Sequence, residues 1–120
     1  MKIENTYTSG PLADTDLHAG LFFGIIYTKT LSFHTDGKVI LTKKVINSFS
    51  PMDIVDIEMK NNYKAEGTYF INKDGNLVCK FESKFLEMTG TFTDDSQQTL
   101  IMHEYNNRIK MSWSAVYYLR

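Results

Sequence analysis

Histidine and cysteine are the residues of this chain that most often take part in catalysis or metal binding. The chain has three histidines and one cysteine, which are His18, His34, His103 and Cys79. No His-x-His or His-x-x-x-His pair occurs, so a metal site would need side chains from distant parts of the chain to converge. The apolar neighbours of Cys79 predict a buried structural thiol and not a nucleophile. We therefore predict no metal site and no cofactor.

His103 is the histidine with two alternative orientations. If Leu100 and Met102 face the core, His103 faces outward; in the opposite register it points into the interior as a polar group that orients a ligand. His103 and Tyr105 could then supply general acid–base chemistry, but the sequence places no nucleophile or base partner near them. We predict no catalytic residue, and the sequence favours a protein without enzymatic activity over an enzyme.

Aromatic residues give a more informative pattern. They make up 13% of the chain, and many recur at every second position of apolar stretches, which is typical of strands with one buried face. A shared inward direction makes them candidates for lining a small-molecule pocket, with hydroxyl groups that orient the ligand. The alternative is that the same side chains fill the interior completely. The candidate lining residues are Phe23, Tyr27, Phe33, Tyr69, Phe81, Trp113 and Tyr117, together with His103 in the second of its two orientations.

Alternating apolar residues also predict the strands that must position these side chains. The final stretch, residues 108–119, carries this pattern furthest and contains the only tryptophan. Asp36-Gly37 and Asp74-Gly75 each lie between two apolar runs, which is the strongest short-range signal for a hairpin. The predicted strands cover residues 20–33, 39–46, 63–71, 77–83, 86–93, 99–105 and 108–119.

Residues 51–60 fit two structures. Ser50, Pro51 and Asp53 have the order of a helix start, so we predict one short helix over residues 51–60. The apolar run within this segment also fits a strand, and its period alone does not decide between the two.

These elements predict an all-β fold. Short polar turns between neighbouring strands make an antiparallel up-and-down meander. Closing the C-terminal strand onto the earlier ones gives a barrel of about eight strands, and the alternative architecture is a sandwich. We predict a single barrel domain over residues 20–120, preceded by an irregular N-terminal arm over residues 1–19.

Composition limits the functions that this fold can serve. The chain has 120 residues, with 13 basic and 14 acidic residues and a formal charge of -1. The charges are not segregated, so we expect no nucleic-acid partner. The longest apolar run, residues 20–27, is far shorter than the ~20 residues that a membrane span requires. A single cysteine suits a reducing compartment, and we expect a cytoplasmic protein, although a removed signal peptide would leave no trace.

Several short turn and strand patterns follow one another along the chain. They are Phe33-His34-Thr35-Asp36-Gly37-Lys38-Val39, Ser50-Pro51, Gly67-Thr68-Tyr69-Phe70, Gly75-Asn76-Leu77, Thr89-Gly90-Thr91-Phe92 and Thr99-Leu100. Their succession resembles that of small bacterial lipocalin-like proteins of the calycin group, and the similarity covers about residues 31–119. The sequence departs from lipocalins proper in one respect, since their first strand has Gly-x-Trp and this chain has Gly20-Leu21-Phe22. The resemblance implies a barrel with an apolar cavity and no catalytic residues.

Three functional hypotheses follow. The first, which we rank highest, is non-catalytic binding of a small apolar ligand inside the barrel. The second is a protein-interaction module or homodimer with a filled core, whose contact surface is the outward stripe of Val116 and Tyr118 beside Ile101 and Tyr105. The third is an enzyme that acts on a ligand in the barrel, which needs a perturbed titratable group in the pocket.

Overall fold

The computed structural model describes residues 4–18, 21–49, 63–82, 86–93, 95–107 and 110–120. This part of the chain contains nine strands and no helix. The predicted helix over residues 51–60 lies outside the described residues. The strands are β1 (Thr6–Ser9), β2 (Leu12–His18), β3 (Leu21–Phe33), β4 (Lys38–Phe49), β5 (Tyr63–Ile71), β6 (Leu77–Phe81), β7 (Leu86–Phe92), β8 (Thr99–Asn106) and β9 (Met111–Leu119).

The predicted antiparallel meander is confirmed, and it closes into a barrel. Each strand from β3 to β9 pairs with the next one along the chain. β1 closes the sheet because it pairs with β3 on one side and with β9 on the other. Eight strands thus form the barrel, and β2 is an additional strand that pairs with β3.

Both predicted Asp-Gly turns have the backbone conformation that favours glycine. Gly37 has a φ of 90° and Gly75 a φ of 82°, values that side chains with a Cβ rarely adopt. The carboxylate of Asp36 accepts a hydrogen bond from the backbone N–H of Lys38 at 3.0 Å, which stabilises the first turn. These turns fix the register of the hairpins on either side of them.

β4 has a β-bulge, a point at which it contains one residue more than its partner strand β3. Ile26 lies opposite Asn47, whereas Tyr27 lies opposite Val45, so Ile46 has no counterpart on β3. Ile46 is 56% exposed. Among the described residues, the pairing of β4 with β5 ends at Lys43 and Tyr63. The bulge lies beyond this point and bends the β3–β4 ribbon there.

The core lies at the end of the barrel that β1 closes, which we call the closed end. Aromatic rings meet there edge to face: Tyr7 and Phe33 have centroids 5.9 Å apart, and Phe33 and Tyr69 have centroids 5.0 Å apart. Large buried side chains from all the barrel strands fill this end. They are Tyr7, Leu31, Phe33, Val39, Leu41, Tyr69, Leu77, Cys79, Phe81, Met88, Leu100, Met102 and Tyr117.

The N-terminal arm differs from the irregular conformation that the sequence predicted. Residues 6–9 and 12–18 form β1 and β2, and their backbones pair with β3 over most of that strand's length. The arm has no sustained alternation of apolar residues, so its strand conformation comes from pairing with β3 and β9 and not from local pattern.

Candidate functional site

Among the described strands, the barrel is open between β2 and β9. β9 pairs with β1 as far as Ser9 and Tyr117, while the described residues of β2 pair only with β3. At the point of divergence, the hydroxyl of Ser9 accepts a hydrogen bond from the backbone N–H of Lys29 at 2.9 Å. The Gly10-Pro11 step follows, and proline has no N–H to donate to a neighbouring strand. We call the gap beyond this point the seam.

The arm also changes register at Gly10-Pro11. Thr8 lies opposite Thr30 and Leu12 opposite Tyr27, so four residues of the arm span the same distance as three residues of β3. An extra residue of this kind reverses which side chains face inward. Leu12 therefore turns toward the interior beside Tyr27.

Trp113 marks the mouth of the barrel. It lies directly opposite Glu104 on β8, whose side chain is buried, so both residues face the interior side of the sheet. Trp113 is nevertheless 38% exposed, and Met111, two residues earlier on the same face, is 57% exposed. Inward-facing residues reach solvent here because β2 has parted from β9. The resulting crevice has a volume of about 420 Å³ and is lined by Leu12, Ala13, Tyr27, Met111, Trp113, Ser114 and Ala115.

A buried ion pair lies beneath the crevice. The ammonium group of Lys29 donates hydrogen bonds to both carboxylate oxygens of Glu104, at 2.8 and 3.0 Å. The side chains are only 7% and 3% exposed, so the two charges must compensate each other to remain inside the barrel.

Aromatic rings surround this charged group. Lys29 Nζ is 5.9 Å from the ring centroids of both Tyr27 and Trp113, within the range of a cation–π interaction. The ammonium group of Lys43, on the adjacent strand β4, lies 4.8 Å from the centroid of Tyr27. Lys43 is buried as well. The interior is thus apolar at the closed end and polar next to the seam.

A small void adjoins the ion pair. Its volume is about 10 Å³, and its charged lining residues are Lys29 and Glu104. Leu12, Trp113 and Ala115 line both this void and the crevice, so the two spaces are neighbours. The void can hold about one water-sized group.

Seven of the eight predicted lining residues fall into three groups, and His103 is a separate case. Phe33, Tyr69, Phe81 and Tyr117 belong to the packed core at the closed end. Tyr27 and Trp113 come together at the crevice. Phe23 lies on β3 opposite Asp16, and its side chain is outside the described part of the structure.

His103 takes the outward orientation of the two that the sequence left open. Leu100 and Met102 are buried, and His103 is exposed on the outer face of β8. Its Nδ1 atom lies 2.6 Å from the hydroxyl oxygen of Ser114 on β9. His103 therefore does not line the barrel.

Cys79 is buried in the core, as its neighbours predicted. Burial raises the pKa of its thiol to about 12. The thiol is therefore protonated at neutral pH, which is unfavourable for a nucleophile. Among the described residues, no cluster of three or more histidine, cysteine, aspartate or glutamate side chains could hold a metal ion.

The sequence analysis did not include the charged residues of the site. Lys29 lies on the same inward row as Tyr27 and Leu31, and Glu104 on the same row as Leu100 and Met102. The sequence signal for these two residues was therefore a charged residue at an inward position of a strand. Two such residues of opposite sign, on inward rows of the same barrel, predict a buried pair.

A second depression, of about 460 Å³, lies on the outer surface around Gly67. Its charged lining residues carry both signs, and most of them are exposed. The crevice differs in having two aromatic walls, and the adjoining void gives it a polar floor formed by Lys29 and Glu104. Apolar walls with a few polar groups are typical of small-molecule sites. We therefore regard the crevice as the candidate functional site.

Fold and crevice define the class of protein as an antiparallel eight-stranded β-barrel, closed at one end and open along a seam. This barrel is consistent with the lipocalin-like architecture that the sequence resembles. Comparisons of the chain with family models, curated proteins and solved structures find no significant match. Within the described residues there is no helix long and apolar enough to cross a membrane.

Proposed function

We propose that this protein is a non-catalytic small-molecule-binding protein whose ligand lies in the crevice between β2 and β9. The observation that carries this proposal is the position of Trp113, which faces the interior and is still exposed. A large aromatic side chain at the mouth of a crevice of about 420 Å³ matches the size and lining of small-molecule sites.

The proposal places the ligand at the seam and not along the barrel axis. The axis at the closed end is occupied by core side chains such as Phe33, Tyr69 and Tyr117. Lys29, Lys43 and Glu104 make the space next to the seam more polar than a purely apolar barrel. We therefore propose a ligand with an apolar body and a polar group, oriented by the floor of the crevice.

Native mass spectrometry of the protein purified from its source tests this proposal. We expect a stoichiometric small molecule that is released by mild denaturation. Because Trp113 is the only tryptophan of the chain, its fluorescence reports directly on the mouth of the crevice, and readdition of the released molecule should change its emission.

A matched pair of variants locates the binding site. Trp113→Ala removes a wall of the crevice and should weaken rebinding ~5-fold or more, since an aromatic wall contributes on the order of 1 kcal/mol or more. Tyr118→Ala changes an exposed tyrosine on the outer face of the same strand and should leave rebinding unchanged. A ligand that rebinds equally well to both variants would contradict a site at the seam.

A specific feature of β9 favours a second function, self-association through its edge. Arg120 donates a backbone hydrogen bond to Thr6 on the β1 side, and Leu119 donates one to Gln98 on the opposite side. Neighbouring residues of a strand present their backbone groups to opposite sides. Ser112 and Ser114 therefore direct their backbone groups toward the seam, where no described residue pairs with them.

The chemistry of this edge suits pairing with a second copy. β9 has no charged residue from Met111 to Leu119, whereas β2 carries Asp14 and Asp16. Charged residues are a common protection against edge-to-edge association, and β9 lacks it. Antiparallel pairing of two β9 strands about Ser114 would place the two Ser114 residues opposite each other and bring Trp113 opposite the small Ala115 of the other copy.

Cysteine cross-linking tests this register. With Ser114 on the two-fold axis, the two Cα atoms lie about 5.5 Å apart, within the range of a disulfide. Ser114→Cys should therefore oxidise to a disulfide-linked dimer, whereas Ser112→Cys should not link to itself; the native Cys79 is buried and should not react. A monomer in sedimentation at high concentration, with no cross-link for either variant, would exclude self-association through β9.

A further inference from the structure

The Glu104 carboxylate has capacity to accept further hydrogen bonds. An ionised carboxylate offers about four lone-pair positions, and Lys29 is its only donor among the described residues. Glu104 and Lys29 line the void of about 10 Å³, whose other lining side chains are mainly apolar. The void has room for about one heavy atom. A hydrogen-bond donor that enters it from the crevice would reach a buried acceptor.

The same geometry disfavours a charged group at that point. An anionic group would lie next to the Glu104 carboxylate, and a cationic one next to the Lys29 ammonium group, because the two are only 2.8 Å apart. Like charges repel strongly where water is excluded. A neutral N–H or O–H group avoids both repulsions and still donates to the carboxylate.

The walls specify the rest of the ligand. Tyr27 and Trp113 both line the crevice, and each ring centroid lies 5.9 Å from Lys29 Nζ. Aromatic rings prefer offset-stacked or edge-to-face contacts with other rings. A flat aromatic body can contact these walls while it directs one polar atom to the floor.

We infer that the crevice takes a planar aromatic molecule with one uncharged N–H or O–H donor, which it gives to the Glu104 carboxylate. This inference rests on the ligand site proposed above and specifies the ligand class. Leu12, Ala115 and Trp113 connect the crevice with the void, so one molecule can occupy both spaces.

Indole and N-methylindole form a matched pair of probes, because they share the ring system and differ in the N–H donor. Titration followed by backbone amide NMR measures the affinity and shows whether Ser112 and Ser114 are perturbed. Indole should bind at least ~10-fold more tightly than N-methylindole, since a hydrogen bond to a charged group is stronger than one between neutral groups. Benzoate, an anionic aromatic probe, should bind more weakly than indole.

A double variant tests the role of the carboxylate. Lys29→Met combined with Glu104→Leu removes both charges and leaves neither one buried alone. This variant should bind indole and N-methylindole with similar affinity. The control Glu87→Gln changes an exposed carboxylate on β7 and should retain the preference for indole. The NMR spectrum of each variant confirms that the barrel is folded.

The results separate this inference from the proposed function. Equal affinities for the two indoles, no binding of either one, or tighter binding of benzoate would overturn the ligand class. A preference for indole that persists in the double variant would also overturn it. The site itself is judged by native mass spectrometry: a released ligand without a ring or a donor contradicts the class while supporting the site, and a source protein without any ligand contradicts the site.

Discussion

The Lys29–Glu104 ion pair allows the most direct test of the seam's energetics. Glu104→Leu removes the carboxylate and leaves the Lys29 ammonium group inside the barrel, where its side chain is only 7% exposed. Removing one member of a buried ion pair typically costs about 3–5 kcal/mol, because the remaining charge is uncompensated. A domain of this size has a total stability of roughly 5–15 kcal/mol, so the variant should be severely destabilised. The double variant with Lys29→Met should recover most of this loss, because an apolar pair of similar volume is often nearly neutral.

Urea denaturation of the wild type, both single variants and the double variant completes a double-mutant cycle. The change in Trp113 fluorescence and the far-UV circular dichroism should give the same midpoint if unfolding is two-state. We expect a coupling energy of at least ~2 kcal/mol between the two residues. A Glu104→Leu variant that loses less than ~1 kcal/mol, with a coupling energy near zero, would refute the view that the two charges stabilise each other inside the barrel.

Three further predictions concern the closed end. Burial raises the pKa of the Cys79 thiol to about 12. The stability that the buried neutral thiol provides is therefore complete below the ordinary thiol pKa of about 9 and is lost as the pH rises to 12. In urea denaturation across this pH range, the free energy of unfolding should fall less for Cys79→Ala than for the wild type. Tyr7→Phe removes the 2.7 Å hydrogen bond from the tyrosine hydroxyl to the Gln97 carbonyl oxygen, and the free energy of unfolding should fall by about 1 kcal/mol, while a change below ~0.3 kcal/mol would show that the bond adds nothing. Gly67→Ala places a Cβ against the backbone carbonyl oxygen of Lys80, and thermal unfolding should show a loss of about 1–3 kcal/mol; an unchanged melting temperature would mean that β5 and β6 can separate at no cost.

Local signals predicted the meander because each of its steps is a local event. The Asp-Gly turns and the alternation of apolar residues fix the strands from β3 to β9, and pairing with the next strand along the chain is the simplest arrangement. β5 has the predicted bounds, Tyr63–Ile71, and β8 differs by one residue at its end. The strands at residues 6–9 and 12–18 were not predicted, because these residues pair with strands that come later in the chain and do not alternate by themselves.

The candidate site was only partly predictable for the same reason. Tyr27 and Trp113 lie on inward rows that the sequence identifies, but their meeting at one crevice depends on where β2 leaves β9. The other predicted lining residues face the same interior and lie at the closed end, apart from Phe23 and His103. Inward direction is encoded in a period of two residues, whereas the position of an opening depends on strand pairing between the two ends of the chain.

The seam has a physical origin in the arm. Gly10-Pro11 shifts the register by one residue and removes a backbone donor, so the arm cannot continue the ladder that it forms with β9 at Ser9 and Tyr117. Loss of that ladder opens the crevice next to Lys29 and Glu104, which remain buried. Buried charges are costly unless they are paired. Natural sequences usually depart from a consistent apolar core where function requires it. The break in the ladder and the charged floor occur at the same place, and this coincidence is the strongest reason to look for a ligand at the seam.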